Sequence, residues 1–284
     1  MAEWAIGHRC TLWWCPACGH VVRDLPRCRA AARGHPWGGK EALDRTRLRL
    51  TKRRLDRLMP PGRALDVLEI GFGRGTLLAA LQGEGHRVSG VDRGALELGV
   101  AEPLRERARL YPVPAEEAEL PDDAFDLIYG IHVVEHLSDP ASVFRSWHRA
   151  LRPGGLLYLM TPNGESKGLA LFGEHWWNLE DPTHVRFFSP RSIGRMLATA
   201  GFDEIGWRTP VWDSLTLEVS SLMRVLRRKP GRHGVMASRA AAPVYAALTP
   251  LALAVRTVWP PLSPSMEVAA RRPLSRTSED VAVG

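Results

Sequence analysis

The stretch Ala64-Leu-Asp-Val-Leu-Glu-Ile-Gly-Phe-Gly-Arg-Gly75 decides the reading of the whole chain. Leu65 to Ile70 is a short apolar run closed by glycines, which suits a strand buried in a parallel sheet. Thr76 to Gln82 continues in a helical pattern, so the glycines occupy a tight strand-to-helix turn. Gly71, Gly73 and Gly75 remove side chains where the backbone must bend and where a ligand can lie against it. The amides that open the next helix point into the crevice beyond the strand ends, the usual ligand site of a doubly wound sheet.

The spacing selects the ligand. A dinucleotide fingerprint, G-x-G-x-x-G, needs its third glycine at position 76, where Thr76 stands. An acid, Glu69, instead lies two residues before the first glycine. A carboxylate there pairs with a cationic ammonium and repels a pyrophosphate. Arg87 to Val91 reads as a second strand capped by Asp92, placed to accept hydrogen bonds from both ribose hydroxyls. Together these features resemble motif I and the following acidic position of class I S-adenosylmethionine (SAM)-dependent methyltransferases. The resemblance implies SAM contacts from Glu69, Gly71, Phe72, Gly73, Gly75 and Asp92.

Leu110 to Val113 is a short third strand, followed by Ala115-Glu-Glu-Ala-Glu-Leu-Pro121 and a fourth strand ending at Tyr129. In the resembled family an acid after the third strand holds the adenine amino group; Glu116 is assigned that place, with Glu117 beside it and Gly130 at the fourth strand's tip. That tip continues as Gly130-Ile-His-Val-Val-Glu-His136. His132, Glu135 and His136 are a dense titratable set facing the crevice. With His184 they are the candidates for a base that takes a proton from an acceptor. A zinc-peptidase reading of H-x-x-E-H fails on context, since those strings sit mid-helix and this one straddles a strand end.

Ala141 to Leu151 is an amphipathic helix, and Leu151-Arg-Pro-Gly-Gly-Leu-Leu-Tyr-Leu-Met-Thr-Pro-Asn163 is similar to a block of small-molecule methyltransferases akin to those of ubiquinone biosynthesis. It carries the fifth strand and places Asn163 towards substrate. The aromatic segment from Phe172 to Pro190 resembles the acceptor loop of the same group, with His175, Trp177 and His184 expected to face the acceptor; aromatic packing beneath a loop is the other reading of the tryptophans. A helix to Ala200 precedes the sixth strand, Glu204 to Val211. Ser265 to Pro273 resembles the family's last strand. The expected fold is α/β: a Rossmann-like, doubly wound, mostly parallel seven-stranded sheet with an antiparallel last strand.

With 284 residues, 45% of them hydrophobic and 24% charged, the chain is an ordinary globular protein with one large core. Cys10, Cys15, Cys18 and Cys28 are its four cysteines, too few and too clustered for a secretory disulfide framework. Cys15-Pro-Ala-Cys-Gly-His20 has the spacing of a zinc knuckle, with Cys10, Cys28, His20 or His35 as irregular partners. Many methyltransferases of the resembled type carry an N-terminal cysteine ribbon, so the resemblance favours structural zinc over free thiols in a tail. Domains are expected at 1–39 (zinc-ribbon-like) and 40–273 (methyltransferase), with a helical insertion at 215–262 and a disordered tail at 274–284.

Residues 40–58 form a basic helix expected on the edge of the sheet. The net charge of +7 favours an acidic partner. Residues 23–58 hold twelve Lys or Arg against four acids, a solvated face before a nucleic-acid contact. Val244 to Trp259 is apolar but too short and too broken by Pro250 and Arg256 to span a bilayer, so it reads as a peripheral membrane contact, with a lid or a dimer contact as the alternatives. No charged-then-apolar leader opens the sequence, which makes the cytoplasm the expected location. The expected reaction moves a methyl group from SAM to an O, N or C nucleophile of a small, amphiphilic acceptor. A zinc-ribbon protein that modifies RNA and a SAM binder without catalysis are the competing classes.

Overall fold

The computed structural model describes residues 1–7, 10–28, 41–94, 100, 102–227 and 242–274; His35 and most of the expected tail lie outside them. Three short strands come first, β1 (Ala2–Ala5), β2 (Thr11–Trp14) and β3 (Val21–Arg23), before helix α1 (Glu41–Leu58). The main sheet begins with β4 (Asp66–Ile70), α2 (Thr76–Gly83), β5 (Arg87–Val91), α3 (Glu102–Arg107) and β6 (Arg109–Tyr111). It continues through β7 (Phe125–Ile131), α4 (Pro140–Ala150) and β8 (Leu151–Pro162). Helix α5 (Lys167–Phe172), the two-residue β9 (Arg186–Phe187) and α6 (Pro190–Thr199) lead to β10 (Asp203–Arg208). Helices α7 (Leu217–Arg227) and α8 (Ala242–Val258) separate it from β11 (Ser265–Arg271).

The seven-stranded sheet has the order β10-β11-β8-β7-β4-β5-β6. Strands β4 to β8 pair in parallel, whereas β11 runs antiparallel to both β8 and β10. This is the Rossmann-like sheet with an antiparallel last strand that the apolar runs and the family resemblance together imply. Alternation along each strand divides the core in two. Leu68, Ile70, Ile128, Leu157 and Leu159 face Phe144 and Trp147 of α4 and Ile193 and Leu197 of α6. Val67, Leu127, Tyr129, Tyr158 and Met160 face α2 and α1.

The covering helices start where the sequence provides stops and caps. Asp139 caps α4 through Ser142 N, and Pro140 opens the helix where its missing N–H costs nothing. Ser189 and Ser192 cap α6 reciprocally. Helix α1 corrects an expectation. It lies on the face of the sheet rather than its edge, because the stripe of Leu48, Leu55 and Leu58 is wide enough to pack against Leu65, Val67 and Leu81. Burying a leucine such as Leu55 contributes about 1.5–3 kcal/mol. Arg54 then reaches across to Glu267 of β11.

The N-terminal strands form a second sheet, β1-β2-β3-β9, in which Val21 and Val22 pair with Phe187 and Arg186 of the main chain's long loop. A third core beneath it gathers Leu12, Val21, Trp176, Trp177, Leu179, Phe187 and Leu217. The four-thiolate zinc site does not form. Cys10 and Cys28 are joined in a disulfide and buried in this third core, so neither sulfur is a thiolate able to bind a metal. Cys15 and Cys18 remain free, and the knuckle is held by protein instead, with Ser189 Oγ donating to Cys18 O and Arg191 to Ala17 O. His20, the other suggested ligand, is buried against Phe188 and Ser192, and burial pulls its pKa down to about 4.

Candidate active site

The glycine turn after β4 holds the first half of the site. Gly73 has φ 54°, and a Cβ added there would meet nothing within 4 Å, so its left-handed backbone borders open space. Its amide donates to Asp92 Oδ2 at 2.7 Å, while Gly94 N donates to Asp92 Oδ1 at 2.8 Å. Each carboxylate oxygen keeps a second lone pair for a hydroxyl. Gly71 also has a positive φ, 72°, and a Cβ would strike Val133 Cγ2 at 2.5 Å. Phe72 is different: its ring packs over Gly90 in the core, which leaves only its backbone at the crevice.

Glu69 stands opposite Gly90 of β5 and Tyr129 of β7, on the face covered by α1 and α2. It is buried and accepts the Tyr129 hydroxyl at 2.8 Å. Burial pushes its pKa up to about 8 against the pull of that hydroxyl, and the nearby Asp92 charge pushes the same way. Arg47 and the Tyr129 hydroxyl oppose that rise, and the acid stays mostly protonated at neutral pH, so a further cation beside it would favour its ionised form. Gly130 sits inside the sheet between Ile70 and Leu159. Glu116 is exposed and accepts Ser138 N at 2.7 Å, so it braces the turn before α4; Glu117 is exposed in the turn beside it.

The second half lies past the tip of β7. His132, with φ 56°, is held by two buried carboxylates: Nε2 is 3.0 Å from Asp213 Oδ2 and Nδ1 is 3.3 Å from Glu135 Oε1. Burial lowers its pKa, but Asp213 and Glu135 outweigh that and raise it to about 10. Burial works to raise Glu135 and Asp213; His132 overrides it, holding Glu135 at about 2 and Asp213 well below the usual carboxylate range. Glu135 also accepts the Thr161 hydroxyl at 2.9 Å, and Asp213 accepts the Ser265 hydroxyl at 2.5 Å. His132 is thus an imidazolium with both nitrogens engaged.

His184 comes from the long loop. Its Nδ1 donates to Asn178 O at 2.7 Å, which directs Nε2 towards Glu135 Oε1, 3.8 Å away. Burial lowers its pKa to about 4 despite Glu135. His136 is half-buried, its ring 4.8 Å from that of His184, and its Nδ1 donates to Thr183 O at 3.0 Å. That bond leaves Nε2 as the unprotonated nitrogen of the neutral ring. Ligand atoms of Glu135, His136 and His184 lie within 4.8 Å of one another, a set that can share a proton or hold a divalent cation.

Gly73 is tied to Asp92, whose charge acts on Glu69, while His132, Glu135, His136 and His184 form a second cluster past the tip of β7; Gly71 against Val133 is where the two sets approach. Trp177 and His175 do not join them. Trp177 is buried in the third core, the packing alternative for that residue, and His175 lies near Glu174. Asn163 is buried in its own turn, where its Oδ1 accepts Glu165 N. Four residues of the site escaped the sequence reading. Tyr129 could have been found from strand alternation, since it shares the face of Leu127. Thr161 sits inside an apolar strand, Asp213 follows β10 with no periodic signal, and Arg23 was counted only as surface charge. Arg23 is buried and donates to Cys28 O, Asp181 O and Leu179 O, tying the disulfide loop to the segment that carries His184.

Comparison with protein families matches the chain to the methyltransferase domain over residues 43–205. The chain is similar to the ubiquinone biosynthesis O-methyltransferase of Pseudomonas aeruginosa (strain UCBPP-PA14), 34% identical over 154 residues that cover 48% of this chain and 64% of that protein. Its counterpart in Aeromonas salmonicida (strain A449) is 32% identical over 146 residues, covering 48% and 61%. The chain thus spans less than two thirds of the length of these relatives. Among solved structures, a SAM-dependent methyltransferase from Archaeoglobus fulgidus aligns with a TM-score of 0.51 and 22% identity over 79% of this chain and 94% of that one. The [4+2]-cyclase SpnF aligns with a TM-score of 0.57 and 18% identity over 87% of each chain. Likeness at that distance concerns the fold alone.

Proposed function

The chain belongs to the methyltransferase-domain family, and on that premise we propose that it transfers a methyl group from SAM to a hydroxyl oxygen of a small, amphiphilic acceptor. The observation that carries this reading is the braced glycine loop: Gly73 borders open space and is tied to Asp92, with a proton-bearing Glu69 behind it. These groups fit the three parts of the donor that need holding. Asp92 is assigned to the ribose hydroxyls, the Gly71–Gly75 backbone to the donor's flank, and Glu69 to the field that receives its ammonium. Glu116 and Glu117 are assigned to the adenine end, beside Gly130. Bound SAM supplies a methyl carbon already activated on a sulfonium.

The chain's own work is then positioning and proton removal. His136 is the proposed base: its Nδ1–H is fixed by Thr183 O, and Nε2 takes the acceptor's proton as the oxygen gains its methyl group. His184 stays neutral beside it, and His132 with Glu135 and Asp213 fixes the floor under both. An oxygen acceptor is favoured because the relatives are O-methyltransferases, and an amphiphilic one by the apolar helices beside the site. The Cys10–Cys28 disulfide takes away the zinc-ribbon half of the RNA-modifying reading and leaves only the basic 23–58 stretch behind it. The test is transfer of labelled methyl from SAM to a panel of phenols and catechols, with and without an alkyl tail. Wild type should label a tailed hydroxyl acceptor, and His136→Ala should lose at least about 100-fold in rate while still binding SAM. Binding of SAM with no labelling of any acceptor would leave a SAM-binding protein without catalysis.

A further inference from the structure

Helix α8 is built inside out for a surface helix. Its outward side chains include Ala247, Leu251, Ala254, Val255 and Val258, followed by Trp259, at helical spacing; all are exposed and all are apolar. Leu251 is 62% exposed, Val258 86% and Trp259 47%. The only charge on α8, Arg256, points inward and is fully buried. It donates to the Glu218 carboxylate and to the carbonyls of Val211, Asp213 and Ser214. A solvated helix would show the opposite arrangement, with charge outside and aliphatic residues within. Helix α7, which packs on α8, adds exposed Leu222, Val225 and Leu226.

We propose that this face of α8, continued by α7, docks on an anionic lipid bilayer and that the acceptor enters the crevice from that surface; the second half of the claim rests on the methyl-transfer reading. Charge complementarity selects the occupant. From Val219 to Met266 the chain has no Asp or Glu; of its seven Lys or Arg, Arg224 and Arg256 are engaged by Glu180 and Glu218, and the other five, Arg227, Arg228, Lys229, Arg232 and Arg239, all precede α8 in the sequence. Such a run matches anionic headgroups, while an apolar stripe ending in Trp and two prolines suits the boundary between headgroups and acyl chains. Among the described residues no helix is long and apolar enough to cross a membrane, so the contact lies in the interface. The docking face is also wired to the crevice. Arg256 holds the backbone of Asp213 and Ser214, and the Asp213 carboxylate holds His132.

The test is flotation of the full chain with vesicles of phosphatidylcholine alone and with phosphatidylglycerol added, together with calorimetry of SAM binding. The chain should float with the anionic vesicles and at least about 10-fold less with the neutral ones. The double variant Leu251→Asp, Val255→Asp should lose flotation while its SAM affinity stays as in wild type. A second variant, R228Q with K229Q and R232Q, leaves the apolar face intact and should lose the anionic preference. Flotation unchanged in both variants overturns the proposal, as does a concentration-dependent dimer that L251D/V255D converts to monomer without any vesicle binding. Vesicle binding without SAM binding would keep the surface and sink the transfer reading; SAM binding without vesicle binding does the reverse.

Discussion

His132 Nε2 lies 3.0 Å from Asp213 Oδ2 although the two residues are 81 positions apart in the chain. Asp213 follows β10, at the sheet edge furthest from the glycine loop in strand order, and its carboxylate closes the pocket of partners around His132. Neutralising it should be costly. Asp213→Asn leaves His132 with one carboxylate and should destabilise the protein by about 3–5 kcal/mol. The pH profile supplies the sign. A histidine raised to about 10 stabilises fully below its unfolded pKa near 6.5, and that contribution is lost as pH rises through about 10. In Asp213→Asn the alkaline loss should move down towards neutral pH. Thermal unfolding measured from pH 6 to 11 checks this, and an unshifted alkaline edge would contradict it.

Glu69 should give up its proton when SAM binds. Its pKa of about 8 in the free protein keeps it neutral at pH 7, and a cationic ammonium nearby favours the charged form. Calorimetry in buffers of different ionisation enthalpy should show release of up to about one proton at pH 7. Affinity should rise with pH until about 8, and Glu69→Gln should flatten that rise. The same raised pKa makes the ligand-free protein lose stability between its unfolded value, 4.5, and about 8.

Arg23 should matter to turnover and not to donor binding. Its fork reaches Cys28, Asp181 and Leu179 carbonyls at once, a geometry the point charge of lysine cannot reproduce. Arg23→Lys should lower kcat about 10-fold, ~1.4 kcal/mol in the barrier, by loosening the segment that carries His184. The SAM Kd, read by calorimetry, should not change. Equal loss in both quantities would make Arg23 a general structural clamp.

The thiol count separates a disulfide from a metal. Under denaturing, non-reducing conditions two thiols should titrate, Cys15 and Cys18, and four after reduction. Closing a loop between residues 18 apart restricts the unfolded chain, so reduction should cost about 3 kcal/mol. Four titrating thiols with one zinc per chain by mass spectrometry would be incompatible with the pairing.

Local pattern made the sheet legible. Apolar runs, a glycine turn at Gly71 to Gly75 and proline-glycine stops are properties of neighbouring residues, and they place the first six strands in order; the last, from Ser265, is legible only through the family resemblance. What depends on distant partners was not legible. Whether Cys10 meets Cys28 or a metal is decided by how β1 to β3 dock on β9, not by cysteine spacing. Trp177 reads as a pocket wall from its loop and as core once the N-terminal sheet covers it. Helix α1 shows its amphipathic stripe in the sequence, but what the stripe packs on, Leu65, Val67 and Leu81 with Arg54 meeting Glu267, is set by distant partners. Asp213 stands in a turn with no periodicity, so nothing local ties it to His132.

The central claim is that the crevice at Gly73 and Asp92 takes SAM. Calorimetry with SAM and NAD side by side, on wild type and on Asp92→Ala, tests it most directly. The expected result is one SAM per chain, no NAD binding, and at least about a 10-fold loss of SAM affinity in the variant, ~1.4 kcal/mol for the lost ribose contacts. NAD binding without SAM binding, or SAM binding indifferent to Asp92→Ala, would contradict it.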